Sequence, residues 1–118
     1  MKTLRSLSLR VLGASVFGLA ANCLAQNNSD FSSNSTVVLI ESYNSAGGGD
    51  VTFKIANPTI ACSDGYWLTK SDPGFSTNMA ILISAYHAKS VVRVVGLSNQ
   101  LWSGSGGKFC KLSFVTLS

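Results

Sequence analysis

The chain of 118 residues holds one histidine, His87, and five acidic residues, so groups able to move protons are scarce. Catalysis needs reactive side chains that converge, and the few present are scattered. No serine sits in the strand-to-helix elbow spacing of a nucleophile, and His87 has no carboxylate near it in sequence with which to form a triad. Asp30, Glu41, Asp50, Asp64 and Asp72 are spread over separate segments, which argues against the paired carboxylates of a hydrolase. Cys62 and Cys110, the two cysteines beyond residue 25, lack the further His or Cys partners a zinc site needs, so no metal is expected. Gly104-Ser105-Gly106-Gly107-Lys108 has some look of a phosphate loop, but its spacing is wrong and Phe109 stands where Ser or Thr would be required. A non-enzymatic protein without cofactor is the expectation. A long apolar run is also missing: none reaches the roughly 20 residues of a membrane-spanning helix.

What is present begins with a leader. Lys2, Arg5 and Arg10 give a positive start, residues 11–21 are nearly all apolar or small, and Cys23-Leu24-Ala25 offers small residues where a signal peptidase reads. Residues 1–25 are therefore expected to be a cleaved signal peptide. A signal anchor would need a longer apolar run. Lipidation at Cys23 would want a small residue before it, where Asn22 stands. Removal of the leader changes the charge. The whole chain is +4, but residues 26–118 keep six basic side chains against five acidic ones. No basic stripe remains to neutralise phosphates, which removes the main support for nucleic-acid binding.

Residues 26–118 suffice for one small domain, and a domain of that size gains from a covalent staple. Cys62 and Cys110 survive cleavage, and outside the cytoplasm such a pair is expected to join. Free or metal-binding thiols are the alternative, for which further ligands are lacking.

Residues 26–35, rich in Asn and Ser, read as a loose lead-in. Residues 37–43 read as a strand apolar on much of both faces. The glycines of residues 45–50 suit a hairpin loop, and Val51, Phe53 and Ile55 alternate with polar residues as in a half-buried strand. That strand resumes at residues 59–62, past Asn57-Pro58, with residues 66–68 as its continuation or the next strand. Asp72-Pro73 reads as a helix start, and Phe75, Met79, Leu82, Ile83 and Tyr86 follow at helical spacing, with the end near Lys89-Ser90. Residues 91–97 and 110–114 read as strands on either side of a Gly/Ser-rich loop, 98–108. The fold class expected is mainly β with one helix: a small five-stranded OB-like barrel in the order β-β-β-α-β-β. Trp67 reads as a buried residue at a strand end. Trp102, inside the Gly/Ser-rich loop, fits packing and ligand contact equally well.

From Cys62 through Trp67, Phe75 and Leu82-Ile83-Ser84-Ala85-Tyr86 to Val92-Arg93-Val94, the chain resembles the receptor-binding B subunits of subtilase-cytotoxin and typhoid-toxin type. Residues 35–40, Ser-Thr-Val-Val-Leu-Ile, are similar to their first strand. The resemblance implies an OB-fold subunit that assembles into a homopentamer, binds cell-surface glycans (often sialylated) and carries a separate enzymatic subunit. It implies a sugar contact at Ser35, with Asn34 beside it. The likeness breaks at Val95-Gly96, where those subunits place an aromatic that helps line the sugar site, and their extra cysteines and longer tail are missing. The alternative class is a stand-alone periplasmic or secreted interaction or inhibitor domain.

Overall fold

The computed structural model describes residues 28–118. The signal peptide expected at residues 1–25, Cys23 included, lies outside the described residues. The elements are β1 (Ser29–Phe31), β2 (Val37–Ser42), a short 3-10 turn (Ala46–Gly48), β3 (Val51–Ile55), β4 (Gly65–Leu68), the helix α1 (Phe75–Ala88), β5 (Val92–Leu101) and β6 (Phe109–Leu117). The six strands form one sheet in the order β1-β5-β6-β4-β3-β2. Every neighbouring pair is antiparallel except β4 with β6, which α1 and β5 separate in sequence. A parallel pair cannot be joined by a tight turn, so the helix sits where a crossover is needed.

The fold is thus mainly β with one helix, and two details of the expectation are corrected. There are six strands in place of five, and the sheet does not close into a barrel, because β1 and β2 stand at its two ends and do not pair with each other. The extra strand is β1, inside the segment that reads as a loose lead-in. Its partner is β5, with Ser29 opposite Leu97 and Phe31 opposite Val95. Nothing in a local Asn/Ser-rich composition announces a partner more than 60 residues away.

Local chemistry explains the other boundaries. The β2–β3 turn runs through Gly47, Gly48 and Gly49 at positive φ, and a side chain on Gly47 would collide with the Asp50 carboxylate. Gly65, also at positive φ, opens β4 with its Cα against the Phe53 carbonyl oxygen, where no side chain fits. Residues 59–62 lie in turns, not in a continued strand. The helix starts after Asp72-Pro73, at Phe75 with Gly74 as cap, because the Asp72 side chain is occupied elsewhere. Its Oδ2 accepts the Thr69 N–H at 3.0 Å, and its Oδ1 accepts Lys111 Nζ at 2.7 Å.

The core lies between the inner face of the sheet and α1. Phe53, Tyr66, Leu68, Leu82, Ala85, Val92 and Val94 have no exposed surface. Each large apolar side chain among them contributes roughly 1.5–3 kcal/mol of burial. The Cys62–Cys110 disulfide is formed within this core and ties the turn before β4 to β6. On α1 the buried residues are Leu82 and Ala85, with Phe75, Met79 and Ile81 packed beside them; Ile83 and Tyr86 face outward. The helix is apolar nearly all round, so spacing alone does not say which side is inward. Residues 37–43 are not buried on both faces either: Val37 is buried, while Val38 and Leu39 are exposed.

Candidate functional site

β2 connects two clusters of different character. At its end, Tyr43 N–H bonds the Asp50 carbonyl, and the Asp50 carboxylate reaches Trp102 in the β5–β6 loop. Trp102 Nε1 donates to Asp50 Oδ2 at 2.8 Å, and the indole lies 5.2 Å from the Tyr43 ring and 5.6 Å from the Phe109 ring. Trp102 is 6% exposed. Its ring packs under Gly104, where any larger residue would strike it. Trp102 is thus packed in this structure, and what it contacts is the β2–β3 turn. The loop expected at 98–108 is shorter, because β5 continues to Leu101. Lys108 N–H donates to Asp64 Oδ2 at 2.6 Å and Gly107 N–H to Ser105 Oγ at 3.1 Å, which uses two of the loop's amides internally.

At the start of β2, Asn34 is exposed in a bend and Ser35 is 5% exposed. Ser35 exchanges both backbone hydrogen bonds with Val92 of β5, at 2.9 and 2.8 Å, and its Oγ accepts the Asn57 N–H at 2.9 Å. Ser35 is thus a junction: its backbone belongs to the β5 side, its hydroxyl to the β3–β4 connection. Of the residues singled out in the sequence, Asn34 and Ser35 are adjacent, whereas Trp102 belongs to the cluster at the other end of β2.

Beside this junction a groove of about 200 Å³ opens between the start of β2 and the end of α1, lined by Thr36, Val37, Val38, Tyr86 and Lys89. Val38 is 49% and Tyr86 42% exposed. Lys89 closes the helix at φ 53°, the one non-glycine residue at positive φ among the described residues, and its N–H bonds the Ala85 carbonyl. The sequence pattern marks Tyr86 as a helix residue and Lys89-Ser90 as the helix end, and neither as part of a groove. A signal was there: the apolar helical pattern ends on Lys-Ser, with no glycine where a left-handed cap is usually found.

Other candidates are engaged internally. Trp67 is half-buried; its Nε1 donates to the Gln100 carbonyl at 3.0 Å, and Lys111 Nζ lies 4.2 Å from the centre of the ring. His87 is exposed, edge-on to Tyr86 at 5.8 Å. Tyr66 is buried with a hydroxyl that has no partner among the described residues; burial, and secondly the charge of Asp30, push its phenol up to about 12. Among the described residues no group of three metal-ligating side chains occurs, and no helix is long and apolar enough to cross a membrane.

The chain matches no protein-family model, no curated protein and no solved structure. The reading of function therefore rests on the residues themselves.

Proposed function

We propose that this protein is a secreted or periplasmic, non-catalytic binding subunit that recognises cell-surface glycan at the start of its first long strand. The observation that carries the reading is the groove beside Asn34 and Ser35, which joins an exposed aromatic, Tyr86, to a hydroxyl residue and a lysine. Sugar rings stack their C–H faces on aromatics, and their hydroxyls take hydrogen bonds from such neighbours. The resemblance to toxin B subunits points to the same stretch of chain. A buried disulfide is in keeping with export.

The barrel form of the fold belongs to this proposal. β1 and β2 are separated by residues 32–36 alone, and Ser32 and Ser35 bond Val94 and Val92 on the way. Taken as two halves of one bent strand, they turn the sheet order into that of a five-stranded OB-type barrel, with the helix between strands three and four.

A second reading, a stand-alone interaction domain, draws on the opposite region of the sheet. Phe31, Val95 and Phe114 stand side by side on β1, β5 and β6, and the two phenylalanines are 63% and 47% exposed. Such a row suits a protein partner, whether further copies in a pentamer, an enzymatic subunit or an unrelated target.

Light scattering coupled to size exclusion, followed by a glycan array with Asn34→Ala and Ser35→Ala, tests the proposal. A mass near five protomers with glycan retention lost in Asn34→Ala supports it. A monomer that retains no glycan overturns it in favour of the interaction domain. Ser35→Ala also removes the acceptor for Asn57 N–H, so its thermal stability is read alongside.

A further inference from the structure

The edge strand β1 brings a carboxylate against the disulfide. Asp30, its middle residue, is half-buried and pairs in register with Gly96 of β5. A Cβ at Gly96 would stand 2.9 Å from the Cys110 Cβ and 2.8 Å from the Tyr66 ring, so β5 passes close to Cys110 because that side chain is missing. Asp30 beside it reaches the other sulfur: its Oδ2 lies 3.4 Å from Cys62 Sγ. The same oxygen accepts the Thr59 hydroxyl, and Thr59 Oγ1 accepts the Cys62 N–H at 3.2 Å, which holds the carboxylate in place. Among the described residues the ion pair formed is Lys111 with Asp72, so no lysine or arginine neutralises Asp30. Its charge is felt nearby: after burial, it is the second cause that pushes up the phenol of Tyr66, which pairs with Cys110 in register. Both cysteines have no exposed surface. Tying the turn before β4 to β6 needs no charge beside the sulfur, so the carboxylate calls for another account.

We infer that β1 is a strap over the disulfide and that its Asp30 guards the bond against thiol exchange. Exchange begins when a thiolate attacks one sulfur: a new S–S bond forms, the Cys62–Cys110 bond breaks, and its electron pair leaves on the other sulfur. A second thiolate then displaces the protein sulfur from the mixed disulfide, which leaves the reagent oxidised to its own disulfide and both cysteines reduced. Asp30 opposes both routes. An anionic thiolate that attacks Cys62 approaches like charge, and attack on Cys110 puts the departing negative charge on Cys62, beside the carboxylate. The inference is independent of the glycan reading, since the guard protects the domain whatever it binds.

The test follows reduction of the purified, oxidised protein by two monothiols: mercaptoethanesulfonate, which is anionic, and cysteamine, whose ammonium offsets the thiolate. Released cysteines are trapped with iodoacetamide and counted by mass. Each native rate is divided by the rate in denaturant, where Asp30 and Cys62 are no longer held together. After this division the wild type is expected to disfavour the anionic thiol by roughly tenfold or more, and added salt is expected to shrink the difference. Asp30→Asn keeps the shape and an acceptor for Thr59, and is expected to bring the two thiols within about twofold of each other. Glu41→Gln removes the same charge from β2 and is expected to leave the wild-type ratio unchanged. A wild type that treats the two thiols alike overturns the inference, and so does an Asp30→Asn protein with wild-type selectivity. A Glu41→Gln protein that shifts the ratio as far as Asp30→Asn also overturns it. Equal acceleration of both thiols in Asp30→Asn does the same, because that is the mark of a loosened β1 and not of a removed charge.

Discussion

The two ends of β2, Val37 and Ser42, are five residues apart and are built on opposite principles. At the Ser42 end, Tyr43, Asp50, Trp102 and Phe109 lock two loops together, and each polar group that the lock uses is turned inward. At the Val37 end, Tyr86 and Val38 stay exposed, a lysine is held in a left-handed cap, and a groove is left open. Both ends carry aromatics and a charged residue, so composition does not tell them apart. What differs is whether the charged group has a hydrogen-bond partner inside the protein. Asp50 meets an indole N–H inside the protein, whereas Lys89 lines the groove and is exposed. The first arrangement stabilises the fold; the second leaves interaction energy for something outside it.

That contrast can be broken from the stability side first. Replacing both Cys62 and Cys110 by alanine releases a closed loop of sequence separation 48 beside the locked end. Chain-entropy arguments put the loss at about 4 kcal/mol, which a denaturant melt of the oxidised wild type against the variant would show. Trp102→Phe keeps most of the packing but leaves the buried Asp50 carboxylate without its donor. With Oδ1 already lacking a partner, the cost is expected to be about 2 kcal/mol, with glycan retention unchanged in the same preparation. If Trp102→Phe abolished retention at unaltered stability, the two ends would have to exchange roles.

The open end predicts the reverse pattern. Tyr86→Ala, at an exposed position, is expected to shift stability by no more than about 0.5 kcal/mol and to lose retention on the array. A large destabilisation with retention intact would place Tyr86 with the core instead. The smallest effect concerns Tyr66, which belongs to neither end. Its phenol stays protonated in the fold up to about 12 but ionises near 10 in the unfolded chain. The folded state therefore holds the proton over that interval, and stability falls as pH rises from about 10 towards 12. Below that window the contribution is constant. Tyr66→Phe removes a hydroxyl that has no partner, so it should stay within about 1 kcal/mol of the wild type at neutral pH and lose this part of the alkaline slope.

Much of this architecture is written in local patterns. The Val51, Phe53, Ile55 alternation and the flanking glycines give β3 and its turn, and the one convincing helical pattern gives α1. The Cys62–Cys110 pairing follows from there being just two cysteines beyond residue 25. Features that depend on distant partners were not legible. β1 is a strand because β5 lies beside it, and Phe114 takes its place from Val95, across a bulge that no periodicity announces. Trp102 is buried because Asp50 supplies an acceptor 52 residues earlier in the chain. The direction of α1 also escaped the sequence, since Ile83 and Tyr86 carry the same apolar signal as Leu82. Of the candidate site, Asn34 and Ser35 could be singled out in advance, while Tyr86 and Lys89 became visible only once the helix end was set against β2.

The pairing of β1 with β5 has a consequence for how the chain comes to be made. Ser29, among the first described residues, waits for Leu97, and β4 waits for β6 beyond the whole of α1 and β5. A ribosome delivers the chain in order, so β1 has no strand partner among the described residues until β5 has emerged. Contacts of such long sequence separation form slowly, because the intervening chain must be gathered before they repay its entropy. β2, β3 and β4 pair in sequence order and can join as they appear, whereas β1 is seated only after β5 has followed it.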